Sequence, residues 1–486
     1  MGLRFVGRRW ISTLTLTASL GTVTALFAAN AEPLYPLSTD PVRPLTSGTT
    51  TRMARDWSSQ ESHEKSRPDR SFRNIWVRVF PLLSLPLGDP YPDTQNVNAI
   101  ALSNPEGLSV YSLSDQRVIG RATALSFDFV RGRVDIGGTS TPLEPLWIVP
   151  EDGTVTELVW DKGMTLPKGG NAEVRVQFRG GFVVKLSTHI SRDNSHPPRE
   201  LWSVINVVLV NDYLQSVVPS EVISSWNPET LRAQAIAART YGLYEVGTAR
   251  LQGLDFDVDP STWYQSYQGY RFWNRDEDSW RTIELSPTSE AVRDTRGEVI
   301  LHGNEIIKAY FSSNSGGRTC TANECLELPS NPPYLAEVDD HPDIKEAPGG
   351  SWGTRATITS EKMRERLLYV GITPEADPLR LEHLERSPSG RTWRLRVVLA
   401  NGSTIALDRY QTRKMMHIFG PIRSFQYNLG LVASDGKQKI SGHGYGHAVG
   451  LSQWGAQLFS KRGWNAHRIL KHYYHDVNIA DLSAAF

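Results

Sequence analysis

"VVPSEVISSWNPETLRAQAIAARTYGLYEVG", residues 217–247, changes character at Asn227. Before that residue one ionisable group, Glu221, stands among valines, a proline, an isoleucine and Trp226. After it the pattern is helical. Asn227 is a good N-cap, Pro228 suits the first helical position and Glu229 favours the positive end. Ala233, Ala235, Ala237 and Ala238 are strong helix formers, and Gly247 is the expected stop. Leu231, Ala235, Ala238 and Gly242 recur at i, i+3, i+4 spacing, which gives a small-residue face that another element can approach closely. Glu221 lies just ahead of this helix. A helix N-terminus lowers a carboxyl pKa, whereas apolar neighbours raise it by desolvation. A general acid needs the second effect to win. The residues alone leave two readings open, an exposed glutamate and a partly dry acid.

Working outward, strands dominate upstream. "NIWVRVFPLL", "LSVYSL", "LWIVP", "VTELVW", "AEVRVQF", "GFVVKLS" and "LWSVINVVLV" are β-branched or alternating runs separated by Gly, Pro, Asn or Asp. Downstream, "WRLRVVLA" and "STIALD" read as a hairpin around Asn401-Gly402, and helices are expected over "SQWGAQLFSKRG" and "NAHRILKHYYH". The class is α+β. The expected organisation is a β-rich part over 74–205 and a mixed α/β core with a substrate cleft over 206–486. Ahead of these, residues 32–73 are rich in Pro, Ser, Thr and charge and read as a disordered tether. Residues 1–31 read as a secretory signal peptide. Arg4, Arg8 and Arg9 precede an apolar run that ends at "ANA", residues 29–31. An uncleaved membrane anchor is the alternative, because the run is nearly long enough to span. Either way the protein is expected outside the cytoplasmic membrane, in the periplasm or cell wall.

The 486 residues hold 52 Lys+Arg and 52 Asp+Glu, so no basic excess speaks for a nucleic-acid partner. Hydrophobic content of 39% and charged content of 21% are those of an ordinary globular protein. The two cysteines, Cys320 and Cys325 in "TCTANEC", fit a disulfide or free thiols better than zinc, which needs about four ligands.

Three further patches carry candidate chemistry, and none is a phosphate loop, a zincin helix or a nucleophile elbow. "AYFSSNSGGRT", residues 309–319, offers Ser313, Ser315, Gly316 and Gly317 in a polar turn that suits a hydroxyl-rich ligand, or is simply a β-turn. "GHGYGHAVGLSQWGA", residues 442–456, interleaves five glycines with His443, Tyr445, His447, Gln453 and Trp454. Such a backbone approaches another chain or a ligand closely. Its histidines suit hydrogen bonding, metal ligation or plain loop structure. "WYQSYQGYRFW", residues 263–273, is dense in aromatics that either stack on sugar rings or pack.

Together these patches resemble the SpoIID/LytB family of bacterial cell-wall proteins, from about residue 74 to the C-terminus. The likeness is carried by "YLQSVVPSEVISSWNPETLRAQAIAARTYGL", by "AVRDTRGEVILHGNEIIKAYFSSNSGGRT" with "PYLAEVDD", and by "GHGYGHAVGLSQWGAQLFSKRGWNAHRILKHYY", in that order. The resemblance implies lytic transglycosylase action on peptidoglycan glycan strands, and the family's essential glutamate falls on Glu221. Hydrolases generally need two carboxyls. A lytic transglycosylase works with one, because the C6 hydroxyl of muramic acid replaces water and gives a 1,6-anhydro product. Substrate-binding roles are expected for Ser313, Ser315, Gly316, Gly317, His447, Gln453 and Trp454, with no metal and no cofactor. The LytB branch implies the other reading, a non-catalytic wall-binding enhancer of an N-acetylmuramoyl-L-alanine amidase, with that amidase as partner. Two departures stand out: several relatives carry a Cys in the segment equivalent to "WYQSYQG", where this sequence has none, and some relatives bind zinc through Cys and His near the Ser-Gly-Gly segment, where this sequence keeps Cys320 and Cys325 but no adjacent His.

Overall fold

A computed structural model describes residues 67–80 (save 69 and 72), 99–165, 171–189, 199–260, 264–275, 277–417 and 422–482. The signal peptide, nearly all of the tether and Trp263 lie outside the described residues.

The first ten strands are β1 (Asn74–Phe80), β2 (Ala99–Ser112), β3 (Val118–Asp128), β4 (Arg133–Ile136), β5 (Thr139–Pro142), β6 (Leu146–Pro150), β7 (Val155–Thr165), β8 (Asn171–Arg179), β9 (Gly181–His189) and β10 (Arg199–Leu209). They join β11 (Arg271–Asn274) and β12 (Ser279–Thr282) in one antiparallel sheet, ordered β1-β10-β9-β6-β2-β7-β8-β11-β12, with β3, β4 and β5 branching from β2. Alternation assigns one face of each strand to the core: Val204 and Val208 of β10, Val184 of β9, Leu158 of β7 and Leu102 of β2 are all buried in it.

Three helices cover that face: α1 (Val210–Glu221), α2 (Pro228–Leu251) and α3 (Ser286–Asp294). The start of α1 has no side-chain cap; the Val210 N–H instead donates to the Arg73 carbonyl at 2.8 Å. On α2 the Asn227 side chain accepts from the Glu229 N–H at 2.9 Å, as the sequence predicts. Gly247 does not end it. The helix runs on to Leu251, and the left-handed residue is Gly253 at φ +69°. There the N–H of Leu254 reaches the Ala249 carbonyl at 2.9 Å and the N–H of Gly253 reaches Arg250 at 3.2 Å, the paired bonds of a Schellman ending. Gly247 is buried inside the helix, where packing offsets its low propensity.

Leu231, Ala235 and Ala238 face the sheet, as the spacing predicts. Ala233, Ile236, Ala237 and Tyr241 face a second core instead. That core is built by β13 (Glu298–His302), β15 (Phe311–Ser312), α4 (Ala322–Leu326) and the C-terminal elements, while Ile306 of β14 (Glu305–Ile306) joins the first. A third core belongs to the intervening segment, with β16 (Ser351–Ile358), α5 (Ser360–Tyr369), β17 (Pro378–Arg386), β18 (Thr392–Leu399), β19 (Thr404–Ala406), α6 (Arg409–His417), β20 (Gln426–Val432) and β21 (Gln438–His443). β18 and β19 pair across Asn401-Gly402 as read from the sequence. The chain closes with β22 (Leu451–Ser452), α7 (Gln453–Lys461), α8 (Ala466–Tyr473) and β23 (Val477–Asp481). Among the described residues no helix is long and apolar enough to cross a membrane.

Candidate active site

Glu221 is the last residue of α1, not a group waiting at the start of α2. The difference matters electrostatically, because a helix C-terminus carries negative partial charge and disfavours a carboxylate. Pro219 sits inside the last turn and removes one backbone donor, and the Ser220 hydroxyl bonds back to the Ser216 carbonyl at 2.8 Å. Burial raises the Glu221 pKa from 4.5 to about 7, and the Ser266 N–H, donating to Oε1 at 2.7 Å, opposes that rise. The residue as a whole is half-buried. Among the described residues no charged neighbour contributes to its shift. The dry reading therefore wins over the exposed one.

The loop that holds Glu221 is itself fixed to α1 and α2. Gln268 N–H donates to the Ser216 hydroxyl at 3.0 Å, Tyr213 OH to Gln265 at 3.2 Å, and Gln265 to the Ala238 carbonyl at 3.2 Å. Tyr213 and Tyr267 stack with ring centroids 5.0 Å apart. This segment, 265–270, was read from the sequence for its aromatics. Its main contribution here, the Ser266 backbone donor, carries no side-chain signature.

Asp212, at the other end of α1, is also raised by burial, with Arg179 opposing. Nine residues of helix put it about 13 Å from Glu221 along the axis. Paired glycosidase carboxyls lie roughly 5–9.5 Å apart.

The Ser-Gly-Gly and Gly-His-Gly segments form one unit. β15 pairs parallel with β22, Phe311 opposite Leu451 and Ser312 opposite Ser452. Asn314 and Tyr445 exchange backbone bonds of 2.9 and 2.7 Å, and Ala448 N–H donates to the Ser312 hydroxyl at 3.0 Å. Gly444 is needed at φ +81°, where a Cβ would come within 3.0 Å of the Asn314 carbonyl oxygen. The close approach that the glycines permit is thus to the other segment of this chain. The unit meets α2 through Gln457, which accepts from Asn227 N–H at 3.0 Å and Thr230 OH at 2.9 Å. Trp226, five residues past Glu221, meets Trp454 edge-on at 4.7 Å.

The expected binding residues divide into two groups. Ser313, Gly317, His447 and Trp454 are partly exposed, and Trp454 N–H donates to the Ser313 carbonyl at 3.0 Å. Ser315, Gly316 and Gln453 are buried. The Ser315 hydroxyl donates to Asp340 at 2.5 Å, and Tyr473 OH donates to the other oxygen of Asp340 at 2.6 Å. Packing accounts for their burial: Ser315 is committed to an internal carboxylate and Gly316 lies against Gly444. No hydrogen bond joins Glu221 to any of the seven among the described residues.

His447 is held neutral, its pKa lowered to about 4 by burial. Its Nδ1 accepts the Val449 N–H at 3.0 Å, which assigns the remaining proton to Nε2. Cys320 and Cys325 are bonded to each other. Disulfide sulfurs do not serve as zinc thiolates, so this pair does not fit the zinc ligation of relatives. Among the described residues no three His, Cys, Asp or Glu side chains gather as a metal requires.

Residues 199–302, which include Glu221, match the family model SpoIID, described as stage II sporulation protein. The chain is 29% identical over 298 residues to the amidase enhancer of Bacillus subtilis (strain 168), covering 54% of this chain and 39% of that protein. It is 27% identical over 293 residues to stage II sporulation protein D of the same organism, covering 58% and 77%. An uncharacterised protein of Brachyspira hyodysenteriae is 28% identical over 285 residues, covering 59% and 70%.

Proposed function

We propose, from the match of residues 199–302 to the SpoIID family model, that this chain is an exported lytic transglycosylase of peptidoglycan glycan strands. The observation that carries the proposal is Glu221, a carboxyl at the end of α1 lifted to about 7 by burial, with no charged partner contributing among the described residues. Near neutral pH such a group is populated in both protonation states, as a residue that acts first as acid and then as base requires. In the first half-reaction Glu221 gives its proton to the glycosidic oxygen as the bond to C1 of muramic acid breaks. The resulting carboxylate then takes the proton of the C6 hydroxyl while that oxygen bonds to C1, closing the 1,6-anhydro ring and regenerating the acid. Ser313, Trp226 and Trp454 border the glycan in this reading, and neutral His447, bonded to the Val449 N–H and to the Phe311 backbone, sets the shape of the turn beside it.

The second reading, a non-catalytic enhancer of a cell-wall amidase, is favoured by the name of the amidase-enhancer relative. Purified glycan incubated with this protein alone, followed by mass spectrometry of the soluble products, separates the two. Anhydro-ended fragments that vanish with Glu221→Gln support catalysis. Undegraded glycan, together with faster release of peptides when an amidase is added, makes the enhancer the function.

A further inference from the structure

Strand alternation places Arg175 and Gln177 of β8, Arg271 and Trp273 of β11, and Trp280 of β12 on one face of the large sheet, while Val176, Phe178 and Phe272 turn to the core. Trp273 and Trp280 are directly opposite in register, their rings edge to face at 5.5 Å, and both keep part of their surface exposed. The Arg175 guanidinium lies 5.1 Å from the Trp273 ring and is paired with Glu157 at 2.6 Å. Arg271 lies 5.0 Å from the Trp280 ring, and its Nε donates to the Gln177 amide oxygen at 2.7 Å. Among the described residues no carboxylate pairs with Arg271.

This face is anchored to the support of Glu221. The segment that gives Glu221 its Ser266 N–H also ties Gln268 N–H to Ser216 and Tyr270 N–H to the Gln177 carbonyl, then becomes β11 at Arg271. Five residues separate Ser266 from Arg271, a reach of roughly 17 Å at most, or a few sugar units. Toward α1 the same sheet face continues to Arg179, whose charge acts on Asp212. Two indole surfaces beside a guanidinium that has no carboxylate partner among the described residues suit a ligand that presents an apolar sugar face next to an anion. Within a glycan strand that describes a muramic acid whose lactyl carboxylate is free.

We propose that Trp273, Trp280 and Arg271 form a glycan subsite away from Glu221, in which the indoles stack on a sugar ring and Arg271 pairs with the lactyl carboxylate. The proposal rests on the glycan being the ligand and not on turnover. Its test is therefore binding by the full chain carrying Glu221→Gln, measured on peptide-free glycan strands and on the same strands with their carboxylates amidated. Arg271→Gln is expected to weaken binding to the carboxylated strands about tenfold or more and to leave the amidated strands unaffected. Arg271→Lys should recover part of the loss, and Trp280→Ala should weaken binding to both. Thermal melting of each variant checks the hairpin. If melting shifts while the affinities stay equal to those of the parent, the cross-strand pair only stabilises the hairpin and the subsite is overturned. If Arg271→Gln weakens both glycans equally, the carboxylate pairing is overturned. A wild-type protein that binds through this face and releases no products would sink the catalytic reading and leave the subsite standing.

Discussion

At the scale of one residue, Glu221 is under opposed demands. Its pKa is raised, so the folded state prefers the protonated form, and the associated stability is fully present below the unfolded value of 4.5 and lost as pH rises to about 7. That shift corresponds to on the order of 3 kcal/mol once the group is fully ionised. Glu221→Gln removes the charge and keeps an amide oxygen for the Ser266 N–H. Denaturant unfolding should therefore show the variant more stable than wild type at pH 8 and near equal at pH 4. A variant no more stable at pH 8 would mean the carboxyl is better solvated than its burial implies. In the proposed reaction the same change should lower turnover about 10²–10⁴-fold, the usual worth of general acid–base catalysis. Wild-type activity should fall as pH rises past about 7, because the first half-reaction needs the proton. Asp212→Asn, about 13 Å along the helix, should retain most activity. A loss comparable to that of Glu221→Gln would require a second carboxyl in the chemistry. A single acid among valines was legible in the sequence; the Ser266 N–H that steadies it, 45 residues away in the chain, was not.

Elements were read well where local chemistry decides them and less well where packing does. The cap at Asn227 is local, and it formed as expected. Asn227→Ala should cost about 1 kcal/mol in chemical denaturation and Asn227→Asp much less, since only the side-chain acceptor is at stake. An equal loss in both would shift the weight to the packing of this corner against Gln457. The end of α2 is not local in the same sense. Gly247 looked like a stop because glycine is a poor helix former, but two cores enclose the helix and carry it through to Gly253. A helix buried on both sides shows no single apolar stripe, so the i, i+3, i+4 spacing marks only the half that meets the sheet. Helix α1 was not read at all: its run "VNDYLQSVVPSE" contains Pro219, and its first N–H is satisfied by the Arg73 carbonyl instead of a side-chain cap. The glycines of 442–456 were legible as a close approach, while its partner, residues 311–316, became visible only in the fold.

Across the whole molecule, the third core is tied to the candidate site by arginines that answer backbone carbonyls. Arg391, just ahead of β18, is buried and donates to the carbonyls of Ser315 at 3.0 Å and Arg318 at 2.8 Å, bracketing the Ser-Gly-Gly turn. Arg409 and Arg413 of α6 do the same for the disulfide loop, reaching the Glu324 and Cys325 carbonyls at 2.8 Å each, and Arg413 also pairs with Glu327 at 3.0 Å. Desolvation lowers the Arg391 pKa to about 10 against the opposing charges of Glu324 and Glu337, so the guanidinium stays charged at neutral pH. Arg391→Met keeps much of the apolar stem and leaves two carbonyls without their donor, a loss of about 2–5 kcal/mol. Because the partners are backbone atoms of the turn, the damage should be local first. Amide exchange is expected to quicken at residues 314–319 and near Tyr445, which shares backbone bonds with Asn314, while the β1–β10 ladder stays protected. Reducing Cys320–Cys325 should act on a different stretch, quickening exchange in 320–328, because a loop of only five residues' separation constrains little beyond itself. Unchanged exchange at 314–319 in Arg391→Met would show that the turn is held by β15, β22 and Asp340 alone, and that the third core contributes nothing to the shape of the site.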